Sequence, residues 1–155
     1  MPAFSTTRNV ELSTLFYLET QIDANWTGIE LVKSFLSAYD KTLPVVCVRM
    51  TSVISDRLEL GATTLDNLYT FTIDIFATSD GQRIDLGDFI MDKLKDGWIY
   101  YTHSKASGAT TLDKVAAGRV TVTSFIDNTR VDFGDEAEGP DRFRQAISFN
   151  VRIPN

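Results

Sequence analysis

The 155-residue sequence contains only one cysteine and one histidine. A single cysteine excludes an intrachain disulfide and a cysteine-rich metal site. Cys47 lies within the apolar run Val45–Val48, which favours a small buried side chain over a reactive thiolate. His103 stands beside Ser104 in a polar stretch, and no carboxylate is placed to orient it. We therefore interpret His103 as an exposed loop residue and not as part of a catalytic pair.

Long apolar runs and cofactor motifs are missing as well. No window approaches the ~20 apolar residues that a membrane span needs. The first residues lack the basic and apolar segments of a signal peptide, so we expect synthesis in a reducing cytoplasm and no membrane partner. There is no phosphate-binding glycine loop and no zinc-ligand spacing. The sequence thus predicts no enzyme activity, no cofactor and no bound metal.

Positive charge is scarce: 15 Lys and Arg face 21 Asp and Glu, giving a net charge of −6. Proteins that grip nucleic acid concentrate Lys and Arg, so this composition argues against such a task. Acidity of this size commonly serves solubility, and it also suits a surface that DNA passes without adhering. The hydrophobic content of 43% is typical of a folded protein, and we expect one domain over residues 1–155.

The clearest pattern is a strand followed by a helix. Apolar residues occupy every second position from Tyr69 to Ala77, which predicts a half-buried strand. Ser79 and Gln82 then have the spacing of a helix-capping pair. Apolar residues recur at helical spacing over 86–94, and Gly97 follows as a helix stop.

The rest of the chain completes an α+β pattern. A helix is predicted from about Arg8 to Ile22, after an arm at residues 1–7 that is either loose or ordered by contact. The segment 29–39 is ambiguous between strand and helix, and we favour a strand. A second strand covers 44–53, and a polar connection, 54–66, leads to its antiparallel neighbour. Residues 102–118 are small and polar and predict a mobile loop.

Two strands close the domain, the first with a bulge near Ser124–Phe125 because its apolar phase changes there. The prediction is therefore a mostly antiparallel sheet with two helices packed on one face, in the order α-β-β-β-α-β-β.

Charged residues near the end of the chain are the candidate contact sites. An acidic turn joins the last two strands and contains Asp132, Asp135, Glu136, Glu138 and Asp141. Its spacing does not match a calcium loop. It is either a solvated hairpin turn or an acidic rim or lumen surface in an assembly. Alternation places Arg142, Arg144 and Arg152 on one face of the last strand, where they could contact another subunit.

Three segments resemble structural proteins of phage head–tail joining, above all the tail terminator (tail completion) and neck proteins of tailed phages: LPVVCVRM, LYTFTIDIFATSDGQRIDLGDFIMDKLKDGWIYY and GRVTVTSFIDNTRVDFGD. The most informative part is IDIFATSDGQRIDLGDFI, and the closing RFRQAISFNVRIPN fits the same pattern. The resemblance covers most of residues 8–154 and carries no catalytic signature.

This resemblance implies a virion protein at the neck or tail end. Such subunits form a homo-oligomeric ring, usually six-fold, that caps the tail tube or joins it to the head-completion or adaptor proteins. DNA would pass through the lumen without specific binding. Two alternatives remain open: a head-to-tail adaptor or tail tube subunit of similar fold, and a soluble enzyme or small-ligand binding module.

Overall fold

The computed structural model describes residues 3–61, 63–134 and 136–154. Three α-helices and six strands are present in this part of the chain. The helices are α1 (Thr6–Asn25), α2 (Phe35–Tyr39) and α3 (Asp80–Leu94). The strands are β1 (Glu30–Val32), β2 (Val45–Arg57), β3 (Leu65–Phe76), β4 (Trp98–Ser104), β5 (Asp113–Val131) and β6 (Arg144–Arg152). A short 3₁₀ turn, Gly139–Asp141, precedes β6.

The strands form one six-stranded sheet in the order β1-β2-β3-β6-β5-β4. β1 pairs parallel with β2, and the other pairs are antiparallel, so the sheet is mixed. The predicted α+β class is confirmed. The predicted element order is wrong in detail, because it lacks one strand and one helix. β5 departs from regular pairing between Val122 and Ser124 and again between Phe125 and Asp127. The predicted bulge is therefore confirmed, and a second accompanies it.

The main core lies between one face of the sheet and the helices α1 and α3. Alternate residues of β3 (Phe71, Ile73 and Ile75) point into it and are fully buried, as the period of two predicts. A second, smaller cluster on the opposite face packs Cys47 and Phe76 under α2. Two helices therefore share one face as predicted, and the third helix covers one end of the other face.

The connection into α3 follows the predicted capping pattern with one difference. The Ser79 hydroxyl accepts the Gln82 backbone N–H at 3.2 Å, while the Gln82 side chain accepts the backbone N–H of Thr78, not of Ser79, at 2.8 Å. The helix ends at Leu94, and Gly97 takes a φ of +70° in the following turn. A Cβ atom at Gly97 would lie 2.3 Å from the Val120 carbonyl oxygen, so only glycine fits this close approach.

The predicted strand over 29–39 is wrong beyond its first residues. The chain forms the three-residue strand β1, and Ser34 then caps the five-residue helix α2 by accepting the backbone N–H of Ser37. Polar and apolar residues do not alternate cleanly here, because β1 pairs with the edge of the sheet whereas α2 packs on the face of the sheet opposite α1 and α3.

The predicted mobile loop over 102–118 is also wrong. Trp98–Ser104 is strand β4, and it pairs with the first half of β5 from Trp98–Val120 to Ser104–Asp113. Only the short connection at 105–112 separates the two strands. Most of the residues at 113–119 are of types with weak strand propensity (Asp, Lys, Ala and Gly), so backbone pairing with β4 and not local preference holds this stretch extended.

The start of the described chain is fixed against the sheet, which agrees with the ordered and not the loose alternative for the arm at 1–7. Residues 1 and 2 lie outside the described residues. Ala3 forms a bridge with Ser104, and the Phe4 N–H donates to the His103 carbonyl at 3.2 Å. Helix α1 begins at Thr6 and buries polar as well as apolar residues. Ser13 and Thr14 meet β4, where the Trp98 indole donates to the Thr14 hydroxyl at 3.2 Å.

Candidate functional site

The face of the sheet opposite α1 and α3 carries rows of hydroxyl and amide side chains. Thr70 donates to the Asn150 amide oxygen at 2.7 Å, and the Asn150 amide donates to the Ser124 hydroxyl at 3.1 Å. Thr72 and Ser148 share a hydrogen bond of 3.1 Å in the next row. These side chains lie on β3, β6 and β5 and remain partly or fully exposed. The structure thus leaves a broad hydrophilic sheet face, which we call the hydroxyl face. It also carries Asp127, which lies opposite Ser148, and the Arg152–Asp66 ion pair beyond the row of Asn150.

A charged cluster closes the end of the hydroxyl face beside α2. Asp74 is buried, with 3% of its side chain exposed. Its carboxylate forms ion pairs with the Arg49 guanidinium, 3.1 Å from Oδ2, and with the Arg144 guanidinium, 2.9 Å from Oδ1. The Arg49 guanidinium also lies 3.8 Å from the centre of the Phe35 ring. Two guanidinium groups around one carboxylate offset the cost of burying that charge. The cluster joins three strands and α2, and its chemistry is that of an internal ion pair.

The three arginines predicted to share a face are not brought together. Arg142 precedes β6, so only Arg144 and Arg152 follow the alternation of that strand. Eight residues of strand separate these two by roughly 26 Å. Arg152 pairs with Asp66 at 3.3 Å and stays about half exposed, whereas 12% of the Arg144 side chain is exposed. Of the three, Arg142 and Arg152 can reach another molecule.

The acidic turn is solvent-facing over most of its described part. Asp132, Glu136 and Glu138 are exposed, while Asp135 lies outside the described residues. The Asp132 carboxylate accepts the Gly134 N–H at 2.8 Å, which shapes the turn locally. Asp141 faces inward instead and accepts the Tyr39 hydroxyl at 2.8 Å, a bond that raises the pKa of Tyr39. No metal-binding group of His, Cys, Asp or Glu occurs among the described residues.

His103 is buried and not exposed as predicted. Its backbone N–H donates to the Asn9 side-chain oxygen at 2.9 Å, and its Nδ1 lies 3.2 Å from the same atom. Burial lowers the pKa of His103. Asn9 lies on α1, 94 positions before His103. Local sequence patterns therefore could not predict this contact. Cys47 is fully buried as predicted, and burial raises the pKa of its thiol to about 11.

Two long stretches of strand edge have no partner within the described part of the chain. β1 covers the outer side of β2 only at Val45–Cys47, so the edge of β2 is open from Val48 to Arg57. β4 covers the outer side of β5 only up to Val120, so the edge of β5 is open from Thr121 to Val131. We call these stretches the β2 edge and the β5 edge. Unpaired edges present rows of backbone donors and acceptors that can bind another strand.

The hairpin formed by β2 and β3 extends beyond the point at which β3 stops pairing with β6. Pairing between β3 and β6 stops at Tyr69, whereas β2 and β3 stay paired to Arg57 and Leu65. The predicted polar connection at 54–66 is thus partly strand. At the tip, Leu58 is 62% exposed and Leu60 is fully exposed. We call the described residues 54–61 and 63–68 the arm, and its exposed leucines suit contact with another protein surface.

A shallow cleft of about 320 Å³ lies between α1 and β4. Its lining includes Tyr17, stacked on Trp98 with ring centres 5.4 Å apart, and Arg119. The Arg119 guanidinium already donates to the Asp96 carbonyl at 2.8 Å. Such a lining, with four aromatic side chains and one engaged cation, could accept an apolar group.

Comparison with known proteins supplies no family: neither the protein-family models nor the curated proteins contain a match to this chain. In the described part of the chain, no helix has both the length and the apolar character to cross a membrane.

Proposed function

We propose that this chain is the subunit of a ring at the head–tail junction of a tailed phage, where it ends or caps the tail and lets DNA pass. The observation that carries the proposal is the two-sided sheet. Helices α1 and α3 cover one face, and the other presents the hydroxyl face. A ring subunit needs this division, with a packed outer layer and a hydrophilic wall towards a water-filled channel.

The charge of the chain supports passage of DNA over binding of DNA. Neutral hydroxyl rows offer few cations for phosphate groups, so little counterion release would favour adhesion. The arginines of this face are engaged in ion pairs: Arg49 and Arg144 pair with Asp74. Arg152 pairs with Asp66 and remains about half exposed at the end of the face. A net charge of −6 adds a general repulsion of polyanions.

The exposed surfaces also support assembly with other virion proteins. The arm and the two open strand edges are surfaces that a monomeric protein normally covers or blunts. In the proposed ring they contact neighbouring copies, the tail tube or the head-completion and adaptor proteins. The resemblance to tail terminator and neck proteins implies the same partners and a location in the virion, and both are part of the proposal.

The deciding experiment measures mass by light scattering after size exclusion over a protein concentration series, with negative-stain imaging of any large species. Purified tails that lack their end protein serve as a template in a parallel series. A single closed ring with a central hole, free or seated on the tail end, is the expected result. Extended tubes would favour the tail tube alternative. A monomer in every condition, including with tails, would contradict the proposal.

A further inference from the structure

The β2 edge and the β5 edge lie on opposite sides of the same sheet and at the same height along the strands. Val48 pairs with Ile73, Ile73 pairs with Ile147, and Ile147 pairs with Asn128. Val48 and Asn128 therefore lie at the same height. Val53 is level with Val122 by the same reasoning through Tyr69 and Val151. We infer that the β2 edge of one copy pairs antiparallel with the β5 edge of the next copy. This inference rests on the proposed ring and names the contact that closes it.

Strand direction agrees with this pairing. β2, β3, β6 and β5 alternate in direction, so β2 and β5 run opposite ways within one sheet. Rotation about an axis along the strands keeps every direction unchanged, so β2 meets the β5 of its neighbour in antiparallel orientation. The two edges are different surfaces at opposite ends of the sheet. A contact of this head-to-tail kind generates a ring when the rotation closes.

Two of the residue types that commonly protect an edge strand, lysine and proline, are missing from both edges. Neither Val48–Arg57 nor Thr121–Val131 contains either type. Both are rich in β-branched residues, which favour the strand conformation. The bulges in β2 and β5 increase local twist and bend the sheet, and a sheet that closes on itself requires such bending.

The pairing also decides which face lines the channel. A sheet continued from copy to copy keeps the hydroxyl face on one side throughout. Since α1 and α3 form a thick layer on the other side, the hydroxyl face takes the inner, more tightly curved position. Thr70, Thr72 and Ser148 then face the lumen, whereas the acidic turn lies at the rim, beyond the ends of β5 and β6.

Disulfide trapping tests the contact directly. The variant carries Ser52→Cys on the β2 edge and a second cysteine placed in turn at Thr121, Thr123, Ser124 or Asp127 on the β5 edge. Within one chain these strands are three spacings apart, about 14 Å, too far for a disulfide. Cys47 can remain, because it is buried and its thiol pKa is raised to about 11.

The expected result is a ladder of covalent oligomers in a denaturing gel that ends at the size of the ring, for at least one pair. Each single-cysteine variant should give no ladder. The matched control, Ser52→Cys with Thr20→Cys, carries two exposed thiols but uses the outer side of α1, and it should not form a ladder either. Rings that are visible by imaging and yield no ladder from any edge pair overturn the edge contact and leave the proposed function standing.

Hydrogen exchange gives a second readout that needs no substitution. Backbone amides at 48–54 and at 121–128 should exchange about tenfold or more slowly in the ring than in the monomer. Unchanged exchange at either edge in a formed ring overturns the inference. Absence of any ring, with or without tails, instead removes the proposed function on which the inference rests.

Discussion

At the scale of single residues, the buried carboxylate of Asp74 has a large predicted effect on stability. Replacing it by Asn keeps its shape and leaves Arg49 and Arg144 without their shared counter-charge. We expect Asp74→Asn to lower the free energy of unfolding by about 3 kcal/mol, since breaking a buried pair leaves uncompensated charge. Urea unfolding followed by circular dichroism measures this loss. Lys41→Gln is the control: it removes an exposed pair with Glu30, so we expect a change within about 0.5 kcal/mol. Equal effects of the two substitutions would contradict the structural role of the cluster.

Gly97 is the residue most constrained by its backbone. An alanine there would place Cβ against the Val120 carbonyl and hold φ at +70°. We expect Gly97→Ala to cost about 2–4 kcal/mol of unfolding free energy. Gly81→Ala is the matched control, because open space surrounds Gly81 within the first turn of α3, and a change between zero and about 1 kcal/mol of stabilisation is expected. Thermal melts of both variants make the comparison, and a Gly97→Ala melt at the wild-type temperature would show that the turn is not needed.

His103 makes stability depend on pH. Burial lowers its folded-state pKa below the ordinary value of 6.5, so the unfolded chain binds this proton at a higher pH than the folded chain. The stability contributed by neutral His103 is complete above the unfolded-state pKa of about 6.5, and it is lost as the pH falls below that value and through the lower folded-state pKa. We expect unfolding free energy to decrease from pH 7.5 to pH 5.5, and to decrease less in His103→Gln. Parallel pH dependence of the two proteins would show that His103 does not carry the effect.

At the scale of secondary-structure elements, substitutions in the arm should weaken assembly without changing the stability of the fold. Leu58 and Leu60 contribute little to the core because both are exposed. We expect the double variant Leu58→Ser, Leu60→Ser to unfold within about 0.5 kcal/mol of the wild type and to assemble at least tenfold less readily. Leu36→Ser is the control, since Leu36 is 76% exposed on α2, away from the arm. The concentration at half-assembly, from light scattering, is the measurement. Equal assembly of the arm and control variants would exclude the arm as a contact.

The sequence predicts those elements whose local pattern and tertiary environment agree. β3 and α3 combine clean periodicity with a capping pair, and both form as predicted. The hairpin of β4 and β5 escapes prediction because residues 113–119 are exposed and have no apolar alternation. Their extended shape comes from pairing with β4. α2 is too short, at five residues, to show a helical period.

The sequence indicates only one member of the charged cluster, Asp74, and not its two arginine partners. Asp74 interrupts an otherwise apolar end of β3, which is a sequence signal for a buried charge that needs a partner. Its partners stand 25 and 70 residues away, so spacing along the chain could not identify them. The same limit applies to the contact of Asn9 with His103, where a helix residue determines the burial of a strand residue.

At the scale of the whole molecule, exposed charge should tune association between copies. If the acidic turn of one copy meets Arg142 or Arg152 of another, reversing Arg142 replaces attraction by repulsion. Arg142→Glu should raise the concentration at half-assembly several-fold at low salt and less at 0.5 M NaCl, where the Debye length is short. Arg142 is preferable to Arg144, because Arg144 holds Asp74 and its loss would disturb the fold. Lys105→Glu, on an exposed loop, gives the control for net charge. Identical assembly and salt dependence of the two variants would sink the charge contact.

Strand β6 lies between β3 and β5, although it follows both in the chain. During translation, the β2–β3 and β4–β5 hairpins can form while the chain is still growing, yet no strand joins them until residues 144–152 have left the ribosome. A nascent chain therefore holds two separate halves with open flanks, and the sheet becomes whole only when its central strand is inserted. Synthesis of β6 thus acts as the timing step: before it, a copy cannot offer its β2 edge and its β5 edge in one rigid frame, which keeps chains that lack β6 out of an assembly.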